Sequence, residues 1–290
     1  MNRDSRTWDT LVEKVKIKLR DLLILKLYFL GVSRLRNLIF RLRGEPLTRV
    51  LVFHRIADED VEAFRTKLEW LKARYHVIGL DDYFERRNLS IDKINVALTF
   101  DDGFSSWKEN VIPVLKELEL PATLFIPSGF IGLPQSEAHR YAAERLGIRP
   151  TGSLCWEDLR EITQDGFEIG GHTVGHVDLG VEGEEGNLEA EVVEDKAKIE
   201  TELGDTVCYF AYPFGDVLNY SERAIETVCR TGYHGAFTIV PGFNRTKTDR
   251  YRLHRDSLDV GMSYILFQAW IEGSYDYLKA IANWIRVIQS

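Results

Sequence analysis

Thr99-Phe100-Asp101-Asp102-Gly103 places two carboxylates side by side, directly after the apolar, partly β-branched run Ile94–Leu98, which reads as a short buried strand. Charges that close raise one another's proton affinity, so the pair implies either a cation between them or a shared proton. An Asp-Asp-Gly surface turn is the alternative. A second cluster, Gly171-His172-Thr173-Val174-Gly175-His176, follows a second short strand and argues against that alternative. Two imidazoles four residues apart on a tight turn can face one point, and a carboxylate from another loop can join them there. Such Asp and His ligands suit zinc and its transition-series neighbours, and three protein ligands leave positions open for water and substrate.

The elements that must carry these residues alternate along the chain. Strands are expected at Val50–Phe53, His76–Leu80, Ile94–Leu98, Ala122–Ile126, Phe167–Gly170, Val207–Ala211 and His234–Ile239. Helices are expected at Val61–Tyr75, Trp107–Leu118 (interrupted by Pro113), Leu154–Gln164, Asn187–Leu203 and Ser221–Gly232, with a short one near Asp81–Arg87. Alternation of this kind implies a parallel sheet, and this many units imply a barrel with its chemistry at the strands' C-terminal ends. His54, Asp101-Asp102, Pro127-Ser128, His172–His176 and Tyr212-Pro213-Phe214 all fall there. Gly129–Gly152, with Tyr141 and Arg149, is expected as a loop over that face, and Glu182–Glu185 as a solvated acidic loop.

These motifs resemble the polysaccharide deacetylases, the NodB-homology domains of carbohydrate esterase family 4. The first motif matches Thr99–Gly103, the second matches His172–His176, and the third takes the variant form Phe210-Ala211-Tyr212-Pro213-Phe214-Gly215. The strand Ala122–Ile126 is similar too, and the resemblance covers roughly Arg49–Leu258. It implies a distorted (β/α)7-type barrel that holds zinc or a similar divalent ion through Asp102, His172 and His176, with Asp101 as general base. By the same analogy Phe214 offers its backbone N–H to the oxyanion, and Tyr212, Pro213 and Arg255 bind substrate. The implied reaction is removal of N-acetyl groups from an amino sugar in a polysaccharide, oligosaccharide or lipid-linked glycan.

This chain departs from the family pattern in three places. The Arg that opens the third motif and pairs with the base is Ala211 here, so Asp101 needs another partner from Arg55, Arg252 or Arg255. The fourth motif has no clear counterpart. The general acid of the fifth motif is either His254, in Tyr251–Arg255, or His54, in Phe53-His54-Arg55-Ile56, a pattern similar to bacterial exopolysaccharide deacetylases. A deformylase or other C–N hydrolase, and a catalytically silent carbohydrate-binding relative, stay open beside the deacetylase reading.

Composition bounds the rest. The 290 residues carry a net charge of −8, which argues against a general nucleic-acid binder. Residues 1–48 hold eleven Lys or Arg and five Asp or Glu, a balance of +6, leaving −14 on the remainder. The expected division is a basic amphipathic arm (1–48), the barrel (49–262) and an aromatic helical tail (263–290), which packs on the barrel or the arm. The arm repeats Leu11, Val15, Leu19, Leu22 and Leu23, then Leu35, Leu38, Ile39 and Leu42, among basic residues. It suits either an anionic membrane surface or an added helical layer on the barrel. Leu22–Val32 is too short for a span of about 20 apolar residues. Three sparse cysteines and the absence of a secretory pattern give a cytoplasmic expectation, with peripheral contact at the membrane's inner face.

Overall fold

The computed structural model describes residues 3–180 and 188–278, with side chains from residue 16 onward. The run Glu182–Glu185 and the tail residues Ile281, Trp284 and Ile288 lie outside the described residues. The chain divides into two compact units, 46–261 and 1–45 with 262–290.

The larger unit is a curved parallel sheet of eight strands: β1 (Thr48–Phe53), β2 (His76–Ile78), β3 (Asn95–Asp101), β4 (Thr123–Ile126), β5 (Glu168–Gly171), β6 (Tyr209–Ala211), β7 (Gly235–Phe237) and β8 (Asp256–Ser257). Their order is β7-β6-β5-β4-β3-β1-β8, with β2 also on β3. Helices connect successive strands from β1 to β7, so this is a distorted (β/α) barrel. Every residue of β1 and β3 is buried, as expected for strands covered on both faces.

Register brings the chemistry to one rim. Phe53 pairs with Phe100, Asp101 with Phe125, Ile126 with Gly171, and Ala211 with Phe237. The residues that follow these pairs are His54, Asp102, His172 and Tyr212. The seam between β7 and β1 is filled by 253–257: Leu253 bridges Phe237, and Asp256 pairs with Leu51. Arg49 and Asp256, both fully buried, hold this seam with an ion pair of 2.9 Å. The interior is filled by Val50, Ile78, Ala97, Phe125, Tyr209, Phe237 and Leu253. Gly170 leaves room for the Phe125 ring, which a Cβ there would strike.

The structure departs from the expected elements in four places. Gly129–Gly152 contains a helix, Gln135–Glu144, started by Pro134 and seated on Ala138 and Ala142. Trp107–Leu118 is two short helices, with Pro113 in the first turn of the second. A π-helical turn, Ala190–Glu194, precedes the helix Asp195–Leu203. The two-residue polar strand β8 has no counterpart among the expected elements.

The smaller unit contains α1 (Arg3–Phe29), a turn at Gly31 with φ 73°, and α2 (Val32–Leu42). The helix Tyr264–Ile271 packs beside α1. Arg36 and Asn37 both donate to the Glu272 carbonyl, Ser33 Oγ lies 3.1 Å from Ser274 Oγ, and Arg20 covers the Trp270 ring. Arm and tail therefore share one unit. None of the described helices is long and apolar enough to cross a membrane.

Candidate active site

The adjacent aspartates part at the end of β3. Asp101 ends the strand in extended form, and Asp102 turns into the left-handed region at φ 90°, followed by Gly103 at φ 74°. A Cβ at Gly103 would stand 2.6 Å from Ile131 Cδ1, so this turn needs glycine. Seven non-glycine residues have positive φ among those described, and Asp102, Thr173, His176 and Phe214 are four of them. Strain of this kind gathers where surrounding structure holds a functional geometry.

Asp101 meets Arg255. Arg255 Nη1 donates to Oδ1 and Nη2 to Oδ2, each at 2.7 Å, while Nε donates to the Thr238 carbonyl at 3.0 Å. Burial alone would push the Asp101 carboxyl up, but the guanidinium outweighs it and holds the carboxyl below its ordinary range. Arg255, expected to bind substrate, is instead fully buried beneath Asp101, with its donors engaged.

Asp102 faces the histidines. Its Oδ1 is 3.7 Å from His172 Nε2 and 3.5 Å from His176 Nε2, and this buried oxygen has no hydrogen-bond partner. His172 Nδ1 lies 2.7 Å from the Ala211 carbonyl, and His176 Nδ1 lies 3.2 Å from the Arg145 carbonyl. A carbonyl can only accept, so each Nδ1 carries the proton and each Nε2 turns a lone pair toward Asp102. Burial, with the Asp101 charge second, pushes the Asp102 carboxyl well up, while burial lowers His172 to about 4 and His176 to about 3. An orphaned carboxylate oxygen and two neutral imidazoles, with ligand atoms within 4.8 Å of one another, fit a divalent cation.

A cavity of about 690 Å³ opens over these groups. His54 and Arg55 from the β1 end line it, with Phe104, Leu146, Ile148, Arg149, Tyr212, Phe214, Ile239 and Ser257. Phe214 is half-exposed, its ring 4.7 Å from that of His176, and its amide donates to no other described residue. Of the two histidines expected as acid, His54 lines the cavity. His254 does not: its Nδ1 is 3.2 Å from the Val240 carbonyl. Tyr212 gives only an inner wall, its hydroxyl donating to the Tyr251 carbonyl, and Pro213 is buried outside the lining.

Sequence reasoning missed the support beneath the two histidines. Asp195, fully buried, accepts the Ser128 amide on Oδ1 and the His172 amide on Oδ2, both at 2.9 Å. Glu191 accepts the Gly175 amide at 2.7 Å. The available signal was two carboxylates four residues apart on a helical face shared with Val192 and Ile199.

Residues 90–236, 147 of the 290, match the sequence model of the family described as Polysaccharide deacetylase. The chain belongs to the polysaccharide deacetylase family. The match spans both aspartates, His172, His176 and Phe214, while His54 and Arg255 lie outside it. The curated relative YxkH of Bacillus subtilis (strain 168), named as a polysaccharide deacetylase, is 29% identical over 178 residues. Those residues are 61% of this chain and 56% of YxkH, so the chain spans little more than half that relative's length. Solved structures agree on the deacetylase fold. IcaB from Ammonifex degensii has a TM-score of 0.66 at 22% identity, covering 79% of this chain and 98% of its own. A de-N-acetylase from Aggregatibacter actinomycetemcomitans has a TM-score of 0.64 at 20% identity, covering 77% and 99%.

Proposed function

We propose that this deacetylase-family protein is a divalent-metal-dependent hydrolase that removes N-acetyl groups from an amino sugar of a glycan. The observation that carries the reading is the division of the aspartate pair: Asp101 is held charged by Arg255, and Asp102 turns an unpartnered oxygen to two neutral imidazoles.

Asp102, His172 and His176 would hold the ion, most suitably zinc given two imidazoles and a carboxylate. When bound, the ion polarises the acetamide carbonyl and makes water more acidic. Asp101 takes the proton of the attacking water, its carboxylate fixed by the guanidinium fork. The unshared Phe214 amide is the donor for the developing oxyanion. His54 lines the cavity and burial lowers its proton affinity, so it passes a proton readily to the departing amine once it has received one, as from the water proton taken up at Asp101. Leu146, Ile148, Phe214 and Ile239 supply apolar wall for the sugar.

The deciding experiment measures metal content together with acetate and formate release from N-acetylated and N-formylated glycans. Asp101→Asn should keep metal and lose acetate release, and His172→Ala should lose metal. Full activity in both variants would refute the proposal, and faster formate release would move the reading to a deformylase.

The smaller unit supports a location at the inner face of a membrane. Phe29, Leu30, Leu35, Leu38 and Leu42 are exposed on it, interspersed with Arg34, Arg41 and Arg43. Apolar side chains among cations suit an anionic bilayer surface. Co-sedimentation with phosphatidylglycerol vesicles should fall on Leu35→Glu/Leu38→Glu substitution, and unchanged co-sedimentation would remove this part of the reading.

A further inference from the structure

The catalytic cavity is lined by charges of two kinds. Its acidic members have their own roles in the site, since Asp101 is matched by Arg255 and Asp102 turns its orphaned oxygen to the two imidazoles, where it would hold the ion. No other carboxylate lines it among the described residues. Its basic members, apart from the histidines, are Arg55 and Arg149. Both are exposed, and neither makes a hydrogen bond or ion pair with any described residue. Elsewhere on the same unit Arg65, Arg160 and Arg252 each reach a carboxylate, while the exposed Arg86, Arg140 and Arg250 reach none among the described residues, so what sets Arg55 and Arg149 apart is their place on the cavity wall.

The chain beyond residue 48 carries −14, the difference between −8 overall and +6 on the arm. An anionic glycan is repelled by much of such a surface, and the two guanidinium groups without a carboxylate that stand on the wall of this cavity can hold it beside Asp101 and Asp102. The guanidinium fork matches the oxygen geometry of phosphate and carboxylate, and its attraction strengthens beside low-dielectric walls such as Leu146, Ile148 and Phe214. A neutral glycan gives these two groups no oxyanion to meet.

We propose that the substrate bears an anionic group, a phosphate or a carboxylate, close to the N-acylated sugar, and that Arg55 and Arg149 select it. The inference rests on the amide-hydrolase reading of the site for the identity of the sugar, but the charge selection is measurable without turnover.

The test uses zinc-loaded wild-type protein and deacylated glycans, which have no amide to hydrolyse. Calorimetry compares methyl glucosaminide, glucosamine 1-phosphate and a glucuronate-linked glucosamine. At low salt a ligand with an oxyanion should bind roughly tenfold tighter than methyl glucosaminide, which has the same amine and no oxyanion, an advantage that shrinks as salt is added. Preference for the phosphate alone assigns phosphate, and preference for the uronate alone assigns carboxylate. The Arg55→Gln/Arg149→Gln double variant should bring the affinity ratio close to one, with partial return in Arg55→Lys/Arg149→Lys. Because a bound metal can itself attract an anion, a preference that survives the double substitution overturns the proposal, as do equal wild-type affinities. The kcat/KM ratio of the N-acetylated counterparts should follow the affinity ratio. Absence of acetate from every glycan, with a charge preference that depends on the two arginines, would instead overturn the deacetylase reading and leave the selectivity standing.

Discussion

Arg255 and Asp101 are joined by two parallel bonds of 2.7 Å from guanidinium to carboxylate, with both side chains buried. The pairing depends on how the barrel closes. Leu253 bridges β7 and Asp256 pairs with β1, so the residues between them cross the seam and Arg255 reaches the end of β3. Ala211, at the position where the motif resemblance leads one to expect an arginine, meets His172 Nδ1 with its carbonyl at 2.7 Å. Asp101 therefore has its cation, supplied by the segment that closes the seam.

Replacing Arg255 should damage both fold and chemistry. Arg255→Met leaves the Asp101 charge buried without its partner, a loss of about 3–5 kcal/mol. Arg255→Lys keeps a charge but not the planar fork, so it should fold better while kcat falls by about 10–100-fold. In the lysine variant the acid limb of the pH–rate profile should move upward, because burial then acts on Asp101 with weaker compensation. Denaturant melts and a pH series of acetate release check both statements, and wild-type behaviour of both variants would contradict the pairing's importance.

The legible parts of this chain were those written in local pattern. Apolar runs ending in Asp101-Asp102 and at His172 announced both strand and site, because buried parallel strands are continuous hydrophobic stretches. Arg255 was one of three candidate partners for Asp101, since nothing local in Tyr251–Arg255 says that a two-residue strand follows and closes the ring. Asp195 was hidden for another reason. It sits among Glu191, Glu194 and Lys196, where a charged helix reads as solvated, and only the fold turns that face toward the His172 amide. Polar seams and buried carboxylates are tertiary facts that periodicity does not carry.

Glu168 gives a pH dependence away from the catalytic groups. Burial pushes its carboxyl up to about 8, against Thr123 Oγ1 at 2.6 Å. A carboxyl whose folded-state pKa is raised favours folding fully below its unfolded value, near 4.5, and loses that contribution as pH rises toward 8. The wild-type melting temperature should therefore fall between pH 5 and 8 by about 2 °C or more from this group, and Glu168→Gln should flatten that part of the curve. Parallel wild-type and variant curves would rule out a buried, titrating Glu168.

Gly170 tests the packing under the site. A Cβ there would meet the Phe125 ring and come within 2.9 Å of the Tyr209 carbonyl. Because Phe125 is buried within the packed barrel interior, Gly170→Ala should destabilise by about 1–3 kcal/mol. Urea unfolding checks this, and an unchanged midpoint would show that the interior yields more readily than its packing indicates.

Asp195 carries the last prediction. Its two oxygens accept amides from the ends of neighbouring strands, Ser128 after β4 and His172 after β5, so one carboxylate fixes the start of the turn that presents both imidazoles. Asparagine has one carbonyl oxygen and an NH2 that would confront one of those N–H groups, so Asp195→Asn keeps the volume but breaks one bond of the pair. Loss of such support for a ligand typically lowers metal affinity by about 10–100-fold, and the expected outcome is a weaker zinc Kd in competition with a chromophoric chelator. Gly171→Ala approaches the same point from the other side, since its Cβ would lie 2.8 Å from Asp195 Oδ2 and against the Tyr233 hydroxyl. Both variants should recover acetate release when zinc is raised to saturation, because neither touches Asp101 or its arginine. A variant that stayed slow at full metal occupancy would place Asp195 in the chemistry itself, and one with unchanged zinc affinity would remove it from the support of the site.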